Sequence, residues 1–167
     1  MFGTRVTVQA RAVDDRTADA AFRDVGALFQ RLHRELHPWQ DGALTRLNDA
    51  LAAGRAHETT PYLAELIAAS RRLERRSRGA FNPAIGALVA LWGFHTSDYP
   101  ITDPPPAEDA VEALLRHRPS LTDVRVDGRR VTSTNRHVQL DFSGIAKGLA
   151  VRERSEERRV GKECATG

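Results

Sequence analysis

The longest amphipathic pattern in the chain runs from Thr17 to Leu36 and most limits the folds available to it. Apolar residues recur there at three- and four-residue spacing: Phe22, Val25, Leu28, Phe29, Leu32 and Leu36. Because this spacing places the side chains on one face of a helix, it predicts a long helix with one buried side. A chain of 167 residues, 41% of them hydrophobic, can surround such a helix with a single core.

Shorter patterns flank this helix. Residues 6–10 alternate apolar and polar side chains, which predicts a strand and not a secretory leader. Leucines at 44, 47 and 51 predict a second helix. A third is predicted to begin at the capping pair Thr60-Pro61 and to end at Gly79.

The second half of the chain mixes helix and strand patterns. A short helix is predicted after a proline-rich loop, over 107–116. A hairpin turning at Asp127-Gly128 and a further strand over 137–142 are predicted to follow. Since helices and strands do not alternate regularly, the order favours an α+β fold over a doubly wound sheet.

Charge and cysteine content limit the function classes. The formal net charge of +3 and the run Arg71 to Arg78 are compatible with a non-catalytic basic binding module, which would bind nucleic acid in a salt-sensitive way. Arginines are interspersed with acidic residues, however, so we interpret the run as a solvated helix face and expect no nucleic-acid partner. The only cysteine is Cys164, so the rest of the chain contains no disulfide, thiol nucleophile or cysteine metal ligand. No transmembrane segment is expected.

Several single residues have both a functional and a structural interpretation. His33 and His37 are four apart on a predicted helix and could share a metal, but a solvated or capping role is the better-supported alternative. Trp39 and Trp92 could stack on an aromatic ligand or belong to the core. Asp41 could be a ligand or simply begin a turn.

The stretch "LDFSGIAKG" carries a stronger signal. A predicted strand ends at Asp141 and passes through Ser143 and Gly144 into a helix that contains Lys147. Small residues at such a junction let a ligand approach the backbone, while an acid and a lysine offer a hydrogen-bond acceptor and a phosphate partner. The alternative is that Asp141 and Lys147 form a surface pair.

Four segments together resemble the ApbE family. In chain order they are "FGT" (2–4), "HPWQDGALTRLN" (37–48), "GAFNPAIGALVALWGF" (79–94) and "LDFSGIAKGLAV" (140–151). The resemblance spans about the first half of the family's domain and implies an ApbE-like (T-fold-like) mixed domain, truncated after its last matched strand-helix junction. Residues 1–153 are therefore predicted to be the N-terminal portion of an FMN transferase domain.

The resemblance implies a transferase activity. Enzymes of this family are FAD:protein FMN transferases, which use Mg²⁺ to move the FMN phosphoryl group of FAD onto a Thr or Ser hydroxyl of an acceptor flavoprotein and release AMP. In such phosphoryl transfer, positioning and charge neutralisation are expected to supply most of the catalysis. An alternative within the family resemblance is a flavin-binding or FAD-hydrolysing relative that releases FMN and AMP.

The resemblance also assigns cofactor-binding residues. Phe2 stands at a position beside the flavin nucleotide, and Trp39 at an aromatic position that packs on FAD. The tripeptide Ala80, Phe81 and Asn82 matches "AFD" at the FAD site, with an amide in place of a carboxylate.

Three residues of the last segment have implied roles of their own. Asp141 matches the FAD-binding acid, and Lys147 matches a basic residue that contacts the cofactor. Gly144 aligns with a metal ligand, and a backbone carbonyl is a suitable oxygen donor for Mg²⁺. The family completes this metal site in a later "DGxxTA"-like segment that the chain does not contain, so the catalytic residues are unknown and we expect the fragment to be inactive alone.

The terminal stretch "RSEERRVGKEC" resembles nothing before it. By the standard code it is one reading frame of a common short-read sequencing adapter, so we predict that 154–167 is a translated artefact outside the fold. A charged amphipathic helix is the alternative. A domain ending there would expose an apolar face and a sheet edge, and we expect it to be poorly soluble or molten. As written the chain is expected to be cytoplasmic, or periplasmic or membrane-anchored if its start lies further upstream.

Overall fold

The computed structural model describes residues 6–151. It contains α1 (Asp15–Glu35), α2 (Ala43–Ala52), β1 (His57–Glu58), α3 (Pro61–Arg76), α4 (Gly86–Leu91), α5 (Glu108–Leu115), a 3₁₀ helix (Leu121–Asp123), β2 (Val124–Asp127) and β3 (Arg130–Ser133). Residues 146–151 are also helical. The mixture of helices with one small sheet confirms the predicted α+β class. None of the described helices is long and apolar enough to cross a membrane.

Local capping accounts for where the two longest helices begin. The Asp14 carboxylate accepts hydrogen bonds from the Thr17 backbone N–H at 3.0 Å and from its hydroxyl at 2.7 Å, and α1 follows directly. The Thr60 hydroxyl accepts from the Leu63 N–H at 3.2 Å, as the Thr-Pro pair predicted for α3. That helix ends three residues before Gly79, because Arg78 already has a left-handed backbone (φ 54°).

The sheet has the order β1-β3-β2 and is antiparallel throughout. Asp127 pairs with Arg130, so the two turn residues of the hairpin are Gly128 and Arg129, one position later than predicted. Gly128 has φ 57°, a backbone that a two-residue hairpin turn requires. The sheet packs on α2 and α3 through Val124 and Val131.

The core has two parts. The larger cluster joins α2, α3, the sheet and residues 138–146, and the smaller one joins the inner face of α1 to Ala150. Tyr62 is half-buried and packs against both clusters. Side chains from the last described segment therefore complete both parts of the core, which ties "LDFSGIAKGLAV" to α1, α2 and α3.

Two predicted strands are absent from the described fold. Residues 6–10 form no strand, and Val6 and Val8 instead line a groove with Phe22, Val25 and Phe29 of α1. An alternating pattern forms a strand only against a partner, and none of the three described strands pairs with it. His137 lies in a turn, and residues 138–142 make only a single parallel bridge among the described residues, from Gln139 to Ile85.

The basic run on α3 differs from the expected solvated face. Arg72, Arg75 and Arg76 are exposed, but Glu74 is buried and accepts hydrogen bonds from Ser120 and from the Leu121 N–H. The run is therefore solvated on one side only, because its acidic member faces inward to satisfy the start of the 3₁₀ helix.

Candidate functional site

Two of the family-like segments lie side by side. The N–H of Gly86 donates to the Gln139 carbonyl at 2.7 Å, and the N–H of Asp141 donates to the Pro83 carbonyl at 2.8 Å. A Cβ on Gly86 would lie 2.8 Å from the Gln139 carbonyl oxygen, closer than real Cβ contacts, so the close approach requires glycine. This pairing places Asp141 next to the start of α4.

The other side of the extended segment is bound by a side chain. The buried amide of Asn48 donates to the Leu140 carbonyl at 2.9 Å and accepts from the Leu140 N–H at 2.8 Å. The side-chain amide of Asn48, on α2, thus satisfies the two backbone groups that a neighbouring strand would otherwise bind. This explains why the predicted strand at 137–142 does not belong to the sheet.

Asp141 is a buried carboxylate, 8% exposed. Its Oδ1 accepts from the Ser143 N–H at 2.8 Å, and its Oδ2 lies 2.9 Å from Nε2 of His95. Burial alone raises the pKa of Asp141, but the hydrogen bonds from His95 and Ser143 outweigh it and keep the pKa below its ordinary value. Asp141 is therefore an ionised acceptor in an enclosed place, and the surface-pair interpretation is wrong for it.

Aromatic rings extend from this carboxylate. His95 stacks on Trp39 with ring centroids 5.3 Å apart and planes 24° apart. Trp39 also contacts His37 edge-on at 4.3 Å, and His37 contacts His33 at 5.0 Å. Trp39 is still 39% exposed, so it presents apolar ring surface to solvent, and the core interpretation is wrong for it.

His37 has a structural role within this group. It is buried, and its Nδ1 accepts from the Gln40 N–H at 3.2 Å, which supports the predicted capping role. Burial, together with the neighbouring His33 and His95, lowers the pKa of His37, so a neutral ring is favoured. Asp41 is exposed, lies in a bend with Gly42 and pairs with Arg46 at 2.8 Å.

Asp141, Trp39 and His37 line one cleft of about 700 Å³, which we call the aromatic cleft. Its walls include His37, Trp39, Phe94, Tyr99, Asp141 and Lys147. That volume lies within the range of small-molecule sites, and an apolar lining with a few polar groups is typical of them. The cleft can take a flat aromatic group against Trp39, a hydrogen-bond donor at Asp141 and an anionic group at Lys147.

The cleft unites three of the sequence-predicted cofactor residues, namely Trp39, Asp141 and Lys147. The tripeptide Ala80 to Asn82 lies outside its lining. Asn82 donates to the Pro119 carbonyl at 2.8 Å and accepts from the Ala84 N–H at 2.9 Å, so its amide shapes the loop. Phe81 lies against Gly144, whose Cβ, if present, would be 3.7 Å from the ring. Phe2 lies outside the described residues, and all these cofactor roles stay predictions.

The metal role predicted for Gly144 also stays a prediction. Within residues 6–151, no group of three His, Cys, Asp or Glu side chains could bind a metal ion. Gly144 lies in the exposed turn before the helical residues 146–151 and contributes backbone oxygen only.

Sequence reasoning missed His95. It directly follows the segment "GAFNPAIGALVALWGF", and no spacing rule links it to Asp141, 46 positions later. Only the pairing of 83–86 with 139–141 brings the two side chains together. The available signal for His95 was that an ionisable residue directly follows a recognised motif.

Fold and cleft together define an α+β protein with an aromatic cleft that contains a buried carboxylate. Residues 2–159 match the model of the ApbE family, which is most of the chain, and the chain belongs to that family. The matched range ends inside the segment 154–167. Both this segment and the predicted domain boundary at 153 lie outside the described residues.

Individual relatives agree with this assignment. A Rhodobacter capsulatus protein named FAD:protein FMN transferase is 42% identical over 154 residues, which cover 90% of this chain and 28% of the relative. A Klebsiella pneumoniae protein of the same name is 28% identical over 150 residues, or 89% of this chain and 43% of the relative.

Solved structures show the same architecture. The Thermotoga maritima ApbE protein matches with a TM-score of 0.74 and 25% identity, over 89% of this chain and 46% of that one. The apo form of the Pseudomonas stutzeri flavinyl transferase ApbE matches with a TM-score of 0.74 and 28% identity, over 86% and 44%. The chain thus spans less than half the length of these relatives.

Proposed function

We propose that this chain carries the FAD-binding portion of an FAD:protein FMN transferase. The observation that supports the proposal is the aromatic cleft, in which Trp39, Asp141 and Lys147 come together from distant parts of the sequence. Relatives that carry the transferase name align with about nine-tenths of the chain.

The chemistry of the cleft suits FAD. The exposed ring surface of Trp39 can stack on a planar heterocycle, and the ionised Asp141 can accept a hydrogen bond from a ring N–H or amino group. Lys147 lies on the cleft wall where an ammonium group can neutralise phosphate. These residues bind and orient the dinucleotide; none of them is proposed as the base that activates an acceptor hydroxyl.

The rest of the reaction is proposed to need the remainder of the family domain. Gly144 would supply one backbone oxygen to a Mg²⁺ site, and the family's later "DGxxTA"-like segment would supply the side-chain ligands. When bound, the metal would neutralise charge on the phosphates. The acceptor is proposed to be a flavoprotein with a Thr or Ser site, and the present chain to bind FAD without transferring FMN.

Equilibrium binding of FAD to the 167-residue chain tests the proposal. We expect saturable binding that weakens about tenfold on Trp39→Leu, since base stacking on an aromatic residue typically contributes that much. Trp92→Leu is the matched control, because Trp92 is 44% exposed and does not line the cleft.

Two results would contradict the proposal. One is equal weakening by the two tryptophan substitutions, and the other is an absence of FAD binding. Salt-sensitive binding of nucleic acid with no affinity for FAD would instead favour a basic binding module. Transfer of FMN is measured separately, after the chain is fused to the remaining half of a relative's domain, by covalent flavin on an acceptor and release of AMP.

A further inference from the structure

We propose that His95 is a positioning residue of the aromatic cleft: it sets the Trp39 ring at a defined distance and angle from the Asp141 carboxylate. Its importance for ligand affinity rests on the function proposed above. Neither the family-like motifs nor the similar proteins assign a role to this histidine.

The contacts of His95 identify the role. Its Nε2 lies 2.9 Å from Asp141 Oδ2, and its ring face stacks on Trp39. The His95 side chain is 11% exposed and that of Asp141 is 5% exposed, so the contact is largely shielded from water. The His95 imidazole therefore contacts both groups: its edge meets the Asp141 carboxylate and its face meets the Trp39 indole.

The backbone around His95 is itself well defined. The turn after α4 is closed by hydrogen bonds from the Gly93 N–H to the Ala90 carbonyl at 2.9 Å and from the Phe94 N–H to the Val89 carbonyl at 3.1 Å. Gly93 has φ 77°, which favours glycine at that turn. Because α4 is paired to the Asp141 segment, His95 reaches the carboxylate from a supported position.

Trp39 has less support of its own. It lies in the loop between α1 and α2, it is 39% exposed, and its ring contacts the rings of His37 and His95.

The stack also determines where a ligand ring can bind. A third ring between Trp39 and His95 would need their centroids about 7 Å apart, since stacked rings lie near 3.5 Å from each other. The observed 5.3 Å leaves no such space. A planar heterocycle that bears an N–H donor therefore binds on the exposed remainder of the Trp39 ring. His95 holds that ring at a fixed distance from Asp141.

Substitutions can separate the two contacts. His95→Gln keeps a side-chain N–H donor for Asp141 and loses the stack, while His95→Phe keeps the stack and loses the donor; His95→Ala loses both. The control is His137→Ala, because His137 stacks on His117 with centroids 3.3 Å apart but lies outside the aromatic cleft.

The first measurement needs no ligand. In a Trp92→Phe background, the near-ultraviolet circular dichroism of tryptophan reports the surroundings of Trp39 alone. We expect this signal to be lost in His95→Ala, partly retained in His95→Gln and His95→Phe, and unchanged in His137→Ala. An unchanged tryptophan signal in His95→Ala overturns the proposal, and if that variant does not fold, His95→Gln and His95→Phe decide instead.

The second measurement is the dissociation constant for FAD. We expect His95→Ala to weaken binding about three- to tenfold and the two single-contact variants to be intermediate. Wild-type affinity in His95→Ala despite an altered Trp39 signal overturns the proposal. If the unmodified chain binds no FAD, the proposed function fails, and the dichroism measurement alone supports or overturns the role of His95.

Discussion

At the scale of single residues, the site depends on buried polar groups that have hydrogen-bond partners within the chain. Asp141 has one oxygen on His95 and the other on the Ser143 N–H, and Asn48 uses both ends of its amide on Leu140. A buried polar group stabilises the fold only while its partners are present, so each of these residues gives a specific prediction.

The lowered pKa of Asp141 predicts an acid-dependent loss of stability. Because the folded state favours the carboxylate, its contribution is present above the unfolded-state pKa, about 3.9 for Asp, and is lost as the pH falls through the folded-state pKa. The free energy of unfolding should therefore fall more steeply below about pH 4 in the wild type than in Asp141→Asn. Urea titrations at a series of pH values measure this, and parallel pH profiles would contradict it.

Asn48→Ala should be strongly destabilising. It leaves the N–H and carbonyl of Leu140 buried without partners, which we expect to lower the free energy of unfolding by about 2–4 kcal/mol. Asp49→Ala is the control, because Asp49 is exposed on the same helix. Chemical denaturation of both variants makes the comparison, and similar losses would show that the amide has no special role.

At the scale of elements, the site is built where an extended segment passes between two helices. Residues 139–141 bond to 83–86 on one side and to α2 through Asn48 on the other. Asp141 is thereby fixed between α4 and the turn at 143–145, and the Phe81 loop reaches the same turn from its other side.

Gly86 is the residue at which this arrangement is most easily tested. Gly86→Ala places a Cβ against the Gln139 carbonyl oxygen, so the two segments must separate and Asp141 must move. We expect destabilisation together with weaker FAD binding. Gly26→Ala is the control, because no atom of residues 6–151, its own helical neighbours aside, lies within 4 Å of its Cβ position in α1; it should instead stabilise by about 0.5–1 kcal/mol. Thermal unfolding and FAD titration of both variants test this, and stabilisation by Gly86→Ala would refute it.

At the scale of the whole molecule, the described residues combine a substantial core with an apolar groove. Fully buried leucines of α1, α2 and α3 pack with Phe142 and Ala150. A groove beside α1 is lined by the exposed Val6, Val8 and Phe22 and by the buried Val25 and Phe29. Poor solubility or a molten state stays a prediction, and this groove is the apolar surface on which poor solubility would depend.

Self-association of the chain should therefore weaken when a charged side chain is introduced into this groove. Phe22→Lys, at a residue 40% exposed, should reduce association because it places an ammonium group on the apolar surface. Gln30→Lys adds the same charge at an exposed position of α1 outside the groove and should have little effect. Sedimentation velocity measures both, and equal effects would mean that net charge, not the groove, controls solubility.

Much of the local structure follows from short patterns. Apolar spacing and capping residues predicted α1, α2 and α3 to within a few residues, because these signals act over three or four positions. The Asp127-Gly128 pair predicted the hairpin within one position. The four motifs were sufficient to identify the family. Three of the motif residues line one cleft: Trp39, Asp141 and Lys147.

The tertiary structure decided which groups that are distant in the sequence come into contact. The strand patterns at 6–10 and 137–142 were misleading, since a strand needs a partner and Asn48 takes that place beside Leu140. Glu74 faces inward, unlike the rest of its basic run, because the 3₁₀ helix needs an acceptor. His95 meets Asp141 only because two segments pair in parallel. The sequence by itself thus determined the helices, the hairpin and the family, whereas contacts across the fold determined burial, charge state and the geometry of the cleft.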